Sequence, residues 1–171
     1  MTRTTNARLA GTAFLVYIVA GIASLAARSA GATSLLAVLT SFCALVLGVT
    51  LWSLTRDVDR DLSMMALACR LLEAAPGHGE MYFAVGSALF AWLLLKGRLI
   101  PTAMAWLGLV ASSFLVLLIP LQMMGLFGGV RAWSSPVTWF LWLPMLVFEL
   151  ALSFWLLLRG VGARASGALL E

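Results

Sequence analysis

Long apolar runs recur along this chain: Leu9 to Ala27, Ser34 to Leu54, Met81 to Leu95, Pro101 to Pro120 and Pro136 to Leu158. About 20 apolar residues make one helix that crosses a bilayer, and only helices or closed barrels satisfy their backbone groups in hydrocarbon. The residues are 63% hydrophobic and 11% charged, against about 25% charged in a soluble domain. So little charge cannot cover a soluble surface, and the expected class is an all-α polytopic membrane protein. At 171 residues the chain has room for five or six spans of about 20 residues and no second domain.

The net charge of +4 does not point to nucleic acid. The basic residues lie singly or in pairs at the ends of apolar runs, where membrane topology uses them. Cys43 and Cys69 fall inside apolar runs with no CxxC or Cys/His spacing, so they read as small buried hydrophobes.

The first run follows Arg3 and Arg8 and precedes Ser29-Ala30-Gly31-Ala32. A cleavable signal peptide has that order of features, but its apolar core is normally about 7–15 residues. The longer run here favours an uncleaved helix. Thr55-Arg56-Asp57-Val58-Asp59-Arg60-Asp61 reads as a solvated loop, and Pro76-Gly77-His78-Gly79 as a turn. Pro101 and Pro136 stand where a first-turn proline opens a helix.

The run between those two loops, residues 62–75, is interrupted by Arg70 and Glu73. If it lies on the surface, the protein has five spans. If it crosses, it has six. The positive-inside rule separates the two cases. Six spans with the N-terminus inside put Arg3, Arg8, Arg56, Arg60, Lys96, Arg98, Arg159 and Arg164 inside, and Arg28 and Arg131 outside. Five spans leave an even distribution. The expected architecture is one bundle over 1–171 with both termini cytoplasmic. Its helices lie at about 9–27, 34–54, 58–75, 81–95, 101–120 and 136–158. The third helix, about 27 Å at 1.5 Å per residue, is short for a core of about 30 Å.

That third helix has a polar face. Asp59, Ser63, Ala66, Arg70 and Glu73 recur at steps of four and three, which is one helical stripe. Met64, Met65, Leu71 and Leu72 occupy other sides. Ionisable groups inside spans are costly and usually face the bundle interior. Arg70 and Glu73 are spaced to pair along the helix. Glu149 is the third such group. It lies 13 residues after Pro136, about 20 Å from the start of its helix. A carboxyl at that depth needs either a proton or a cationic partner. An axial gap of about 12 Å to Arg70 argues against pairing, which leaves a hydroxyl such as Ser112 or Ser113 as the alternative partner.

The rest of the chain carries no catalytic or cofactor pattern. There is no GxSxG, HExxH or Walker motif. The single histidine, His78, cannot by itself hold a zinc ion. No metal or cofactor is therefore expected. Trp52, Trp133, Trp139 and Trp155 stand near span ends, as interfacial anchors do. Gly86, Ala88, Ala91, Gly108 and Ser112 are small residues suited to close helix contact.

Certain segments resemble a family. Arg8-Leu-Ala-Gly11, Cys69-Arg70-Leu-Leu-Glu73, Lys96-Gly-Arg-Leu-Ile-Pro101 with Leu107-Gly108, and Glu149 followed by Trp155-Leu156 and Arg159-Gly160 stand in a characteristic order. In that order and spacing the chain resembles a group of bacterial six-helix membrane proteins known as domain of unknown function forty-three eighty-six. The resemblance implies the six-helix topology and no activity.

The expected function is that of a non-enzymatic accessory or interaction subunit, or of a bundle that holds a small apolar ligand. The alternative is a small transporter or proton-linked carrier using Arg70, Glu73 and Glu149. The expected surroundings are a bacterial inner membrane, with a homo-oligomer or a larger membrane complex as partner and no nucleic acid.

Overall fold

The computed structural model describes residues 2–75, 79–126 and 136–162. Within them the chain is all-α, with six helices: α1 (Arg3–Ala26), α2 (Ala30–Thr55), α3 (Arg60–Glu73), α4 (Gly79–Lys96), α5 (Thr102–Met123) and α6 (Pro136–Leu158). Four of these, α1, α2, α5 and α6, are long and apolar enough to cross a membrane. His78, Arg131, Trp133 and Arg164 lie outside the described residues.

Local chemistry sets the helix limits. The side chains of Thr2, Ser29 and Asp59 each accept a hydrogen bond from a backbone N–H in the first turn of α1, α2 and α3, satisfying a donor that has no partner inside the helix. The Asp59 cap makes α3 shorter than the expected 58–75. It starts at Arg60, ends at Glu73 and spans 14 residues, about 21 Å. The expected end of α5 at Pro120 also moves. Proline there removes one hydrogen bond of the last turn but does not prevent that turn from forming. The helix runs to Met123 and ends before Gly125, whose φ of 87° suits glycine.

The helices form a closed ring. Each packs on its neighbours in chain order, and α6 closes the circle on α1. Four glycines bring the axes close at four seams. A Cβ on Gly11 would strike the Ser153 carbonyl of α6 at 2.7 Å. One on Gly48 would meet Arg70 Cβ of α3 at 3.0 Å, and one on Gly86 would meet Cys69 Cβ at 3.0 Å. One on Gly108 would run into the Phe148 ring of α6. Small residues at such seams let helices pack where no water drives them together.

The outer surface is apolar. Leu35, Val38, Leu117, Phe140 and Leu158 are all at least two-thirds exposed, as lipid-facing side chains are. The buried interior includes Thr50, Thr55, Ser63, Ser112 and Ser153. Thr50, Thr55, Ser112 and Ser153 donate to carbonyls of their own helices.

One end of the ring carries most of the cations. Asn6 Nδ2 donates to Ser53 Oγ at 2.7 Å, tying the start of α1 to the end of α2. Lys96 Nζ donates to Asp59 Oδ2 at 3.0 Å, tying the end of α4 to the cap of α3. The Gly162 N–H donates to the Leu99 carbonyl at 2.9 Å, and Ala7 lies beside Gly160. Arg3, Arg8, Arg56, Arg60, Lys96, Arg98 and Arg159 are therefore gathered at one face, all exposed. We call it the basic end. Arg56 and Arg159 each lie 5.1 Å from the ring centroid of Trp52 and Trp155. This pairing of cation and indole suits a membrane interface.

Candidate functional site

The polar stripe of α3 points into the ring. Ser63 and Ala66 are fully buried and Arg70 is 1% exposed, whereas Met64, Met65, Leu71 and Leu72 are about half exposed. The hydrophobic sides of this short helix thus face outward, and Arg70 and Glu73 sit at the centre.

There they form a connected network. Arg70 Nη1 donates to Glu73 Oε2 at 2.7 Å, and Nη2 donates to Ser87 Oγ of α4 at 3.0 Å. Tyr17 Oη of α1 donates to Glu73 Oε1 at 2.7 Å. The guanidinium lies 5.0 Å from the Phe83 ring centroid and 6.0 Å from that of Phe14. A planar guanidinium can serve two acceptors and two aromatic faces together, which an ammonium cannot. Both side chains are enclosed, at 1% and 6% exposure, so the mutual charge neutralisation matters far more than it would on a surface.

Aromatic rings continue the network across the bundle. Tyr17 stacks on Phe83 with centroids 6.5 Å apart and planes 5° from parallel. Phe83 in turn stacks on Trp142 of α6 at 5.9 Å and 28°. Side chains thereby join α4 to α1 and α6, although its backbone packs on neither.

Glu149 lies beside this cluster, within Coulombic range of Arg70 and Glu73, and it also interacts with Tyr17. It is 5% exposed. No ion pair joins it to Arg70 among the described residues. The absence of that pair agrees with the axial estimate, but the expected hydroxyl partner is not found. Ser112 donates to the Gly108 carbonyl of its own helix, and Ser113 is exposed. Glu149 Oε1 has no hydrogen-bond partner among the described residues. A hydroxyl in an apolar helix finds its own backbone first, because the i−4 carbonyl is always within reach.

Glu149 also lines a chamber, although its Oε1 is itself buried. A cavity of about 590 Å³ occupies the half of the ring away from the basic end. Its walls come from the end of α1, the first half of α2, the α3–α4 junction and the first half of α6, with Tyr17, Glu73, Phe83 and Glu149 at its inner limit. Ile18, Ile22, Leu25, Leu143 and Leu146 make much of the wall, with Trp139 and Trp142 beside them. Toward the basic end the interior is filled. Leu47, Leu51, Leu54, Leu93, Leu94, Leu152 and Leu156 are 0–1% exposed. Among the described residues, no group of three or more His, Cys, Asp or Glu could hold a metal ion.

Sequence reasoning singled out Arg70, Glu73 and Glu149 but missed Tyr17, Phe14, Phe83 and Ser87. Tyr17 carried a usable signal. It is one of two tyrosines in the chain, and a phenol inside an apolar span must find an acceptor. Ser87 carried a weaker one, standing between Gly86 and Ala88 on the close-packing face.

A ring of apolar helices around a polar core and a chamber defines an α-helical membrane protein. The family model described as "Domain of unknown function (DUF4386)" matches residues 75–160, half of the chain, and the protein belongs to that family. The match covers Glu149, Ser87 and Phe83. No curated protein and no solved structure matches the chain.

Proposed function

We propose that this protein is a non-enzymatic, multi-pass membrane protein whose helical ring holds a small, predominantly apolar ligand. The observation that carries the reading is the chamber of about 590 Å³. Its size falls in the range of about 300–1,000 Å³ typical of small-molecule sites, and its lining follows their pattern of mostly apolar walls with a few placed polar groups. A ring closed merely for stability gains nothing from an unfilled space of this size, since lost contacts on every wall are a cost.

On this reading all six helices span, with both termini on the cytoplasmic side of the plasma membrane. The gathering of seven cations at the basic end supports that orientation. At about 21 Å α3 crosses only with help from its neighbours and local thinning, a modest cost per ångström of mismatch. Association with itself or with a partner complex is the companion reading, read out by the native mass of the gently extracted protein.

The test uses Gly21, which lines the chamber and where an added Cβ would meet nothing within 4 Å. Gly21→Phe should fill the space without disturbing the helix seams. Titration of 1-octanol into protein-loaded nanodiscs, followed by saturation-transfer NMR, should show a saturable component that empty nanodiscs and Gly21→Phe lack. Equal signals from all three samples would sink the proposal.

A proton-linked carrier using Arg70, Glu73 and Glu149 is the second reading. The unpartnered oxygen of Glu149 favours it. The close-packed leucines between the chamber and the basic end weigh against it, because a carrier needs a second state in which they part. Proton uptake by reconstituted vesicles, compared with Glu149→Gln vesicles, tests it directly.

A further inference from the structure

The ring is not equally complete along its length. Gly48 of α2 meets Arg70 of α3 at their seam. From that seam α2 still runs back to Ala30, whereas α3 stops one turn further on, at Glu73. The outer part of α2 thus overhangs α3 by about 20 Å. Every buried residue of α2 lies at Cys43 or beyond. From Ala30 to Phe42 each residue is exposed or half-buried. Both α2 and α6 line the chamber, yet their backbones do not pack on each other, and α5 adds nothing to the lining. Between them α1 forms the back wall. The chamber is open rather than sealed, and opposite α1, past the end of α3, no helix closes it among the described residues. Resting on the reading that the chamber holds an apolar ligand, we propose that this ligand is a lipid acyl chain, which enters sideways from the bilayer between α2 and α6.

Depth, shape and surface agree with that occupant. The chamber lies in the half of the ring away from the basic end, so a side opening there meets the hydrocarbon of one leaflet. Its lining runs from Tyr17 to Leu25 on α1 and from Trp139 to Glu149 on α6, about 12 and 15 Å along the two helices. Half of a hydrocarbon core of about 30 Å is the same length. A chain lying along the helices fills such a space, whereas a compact ligand leaves part of it empty. At the inner limit both Glu73 oxygens accept hydrogen bonds and Glu149 Oε1 is buried, so the wall that a ligand meets is mainly aliphatic and aromatic. Lipid tails are as apolar as leucine, so a chain gives up little on leaving its leaflet. It gains the dispersion contacts that an unfilled space forfeits.

A phospholipid and a free fatty acid offer the same chain, and two photoreactive probes separate them: a phosphatidylcholine with a diazirine at the end of one acyl chain, and the matching free acid. Each is added to nanodiscs holding wild-type protein, and labelled residues are mapped by mass spectrometry. Label on Ile18 and Leu146, which line the chamber, should reach a plateau as the probe fraction rises. Label on Leu35 and Val38, more than two-thirds exposed and outside the lining, should rise in proportion to the probe. Gly21→Phe should lose the label at Ile18 and Leu146 and keep it at Leu35 and Val38. The wild-type plateau decides the matter even if that variant fails to fold. Plateau labelling by the phosphatidylcholine identifies an esterified chain, and by the acid alone a free one. Absence of label at Ile18 and Leu146 with saturable binding of 1-octanol overturns the acyl chain and leaves the chamber a site for small ligands. Absence of both overturns the chamber as a ligand site.

Discussion

Tyr17 Oη lies 2.7 Å from Glu73 Oε1, and that contact joins two helices whose backbones do not pack against each other. In the ring, α1 touches α2 and α6, whereas α3 touches α2 and α4. The phenol reaches across the hollow that six helices leave at their centre. The Arg70–Glu73 pair, Phe83 and Ser87 fill the remaining space at that level. The polar cluster is thus a cross-brace, and it also sets the inner limit of the chamber.

The brace should fail when its cation is removed. Arg70→Ala leaves Glu73 enclosed without a counter-charge, and breaking such a buried pair costs about 3–5 kcal/mol. Arg70→Lys should recover only part of this, because one ammonium cannot reproduce the bidentate reach to Glu73 and Ser87. Thermal unfolding in detergent reads both variants. A double-mutant cycle with Glu73→Gln should give a coupling of about 1–3 kcal/mol, and a coupling near zero would refute the pairing.

Tyr17 contributes through its hydroxyl and its ring separately. Tyr17→Phe removes one hydrogen bond to a charged acceptor, worth about 1.5–3 kcal/mol, while keeping the stack on Phe83. Tyr17→Leu loses the stack too and should be less stable than Tyr17→Phe by a further 0.5–1.5 kcal/mol, on the order of an aromatic pair. Equal stability of the two variants would show that the stack carries no weight.

The seam glycines should behave unlike the chamber glycine. Gly11→Ala drives a methyl into the Ser153 backbone carbonyl, and Gly108→Ala drives one into the buried Phe148 ring. Overpacking of this kind costs about 1–3 kcal/mol. Gly21→Ala meets open space and should stabilise α1 by about 0.5–1 kcal/mol through helix propensity. Melting temperatures of the three variants should therefore fall on both sides of wild type.

Asp59 links the cap of α3 to the end of α4, and it gives a pH signature. The hydrogen bond from Lys96, with that from the Leu62 N–H, holds its carboxyl below the usual aspartate range. A depressed folded-state pKa stabilises the fold above the unfolded value, and that gain is lost as pH falls through the folded value. Asp59→Asn should thus lower the melting temperature at neutral pH, hold that deficit unchanged down to about pH 5, and converge with wild type in strong acid. A constant deficit throughout would mean that the charge plays no part.

Much of this arrangement was legible in the residues. The spacing of Ser63, Ala66, Arg70 and Glu73 defined the inward stripe of α3, because side-chain direction on a helix follows from position alone. The pairing of Arg70 with Glu73 was legible for the same reason, both partners lying on one helix. The partners on other helices were hidden. Counting residues gives an axial depth for Glu149 on a straight helix, but neither its tilt nor its lateral distance from Arg70. The axial count argued against an Arg70–Glu149 ion pair, and none forms among the described residues, although the fold brings the two into Coulombic range.

By itself the sequence determined that this protein belongs in a membrane, roughly where its helices run, and which face of α3 is polar. These follow from hydrophobicity, charge and the helical repeat, which act over a few residues. The tertiary structure alone decided that α6 closes on α1, that Tyr17 and Ser87 complete the Arg70–Glu73 network, and that Glu149 lines a chamber with its Oε1 buried and without a hydrogen-bond partner among the described residues. Those outcomes depend on how closely whole helices approach. Glycine contacts at Gly11, Gly48, Gly86 and Gly108 set that approach, and each is defined only when its neighbour is in place.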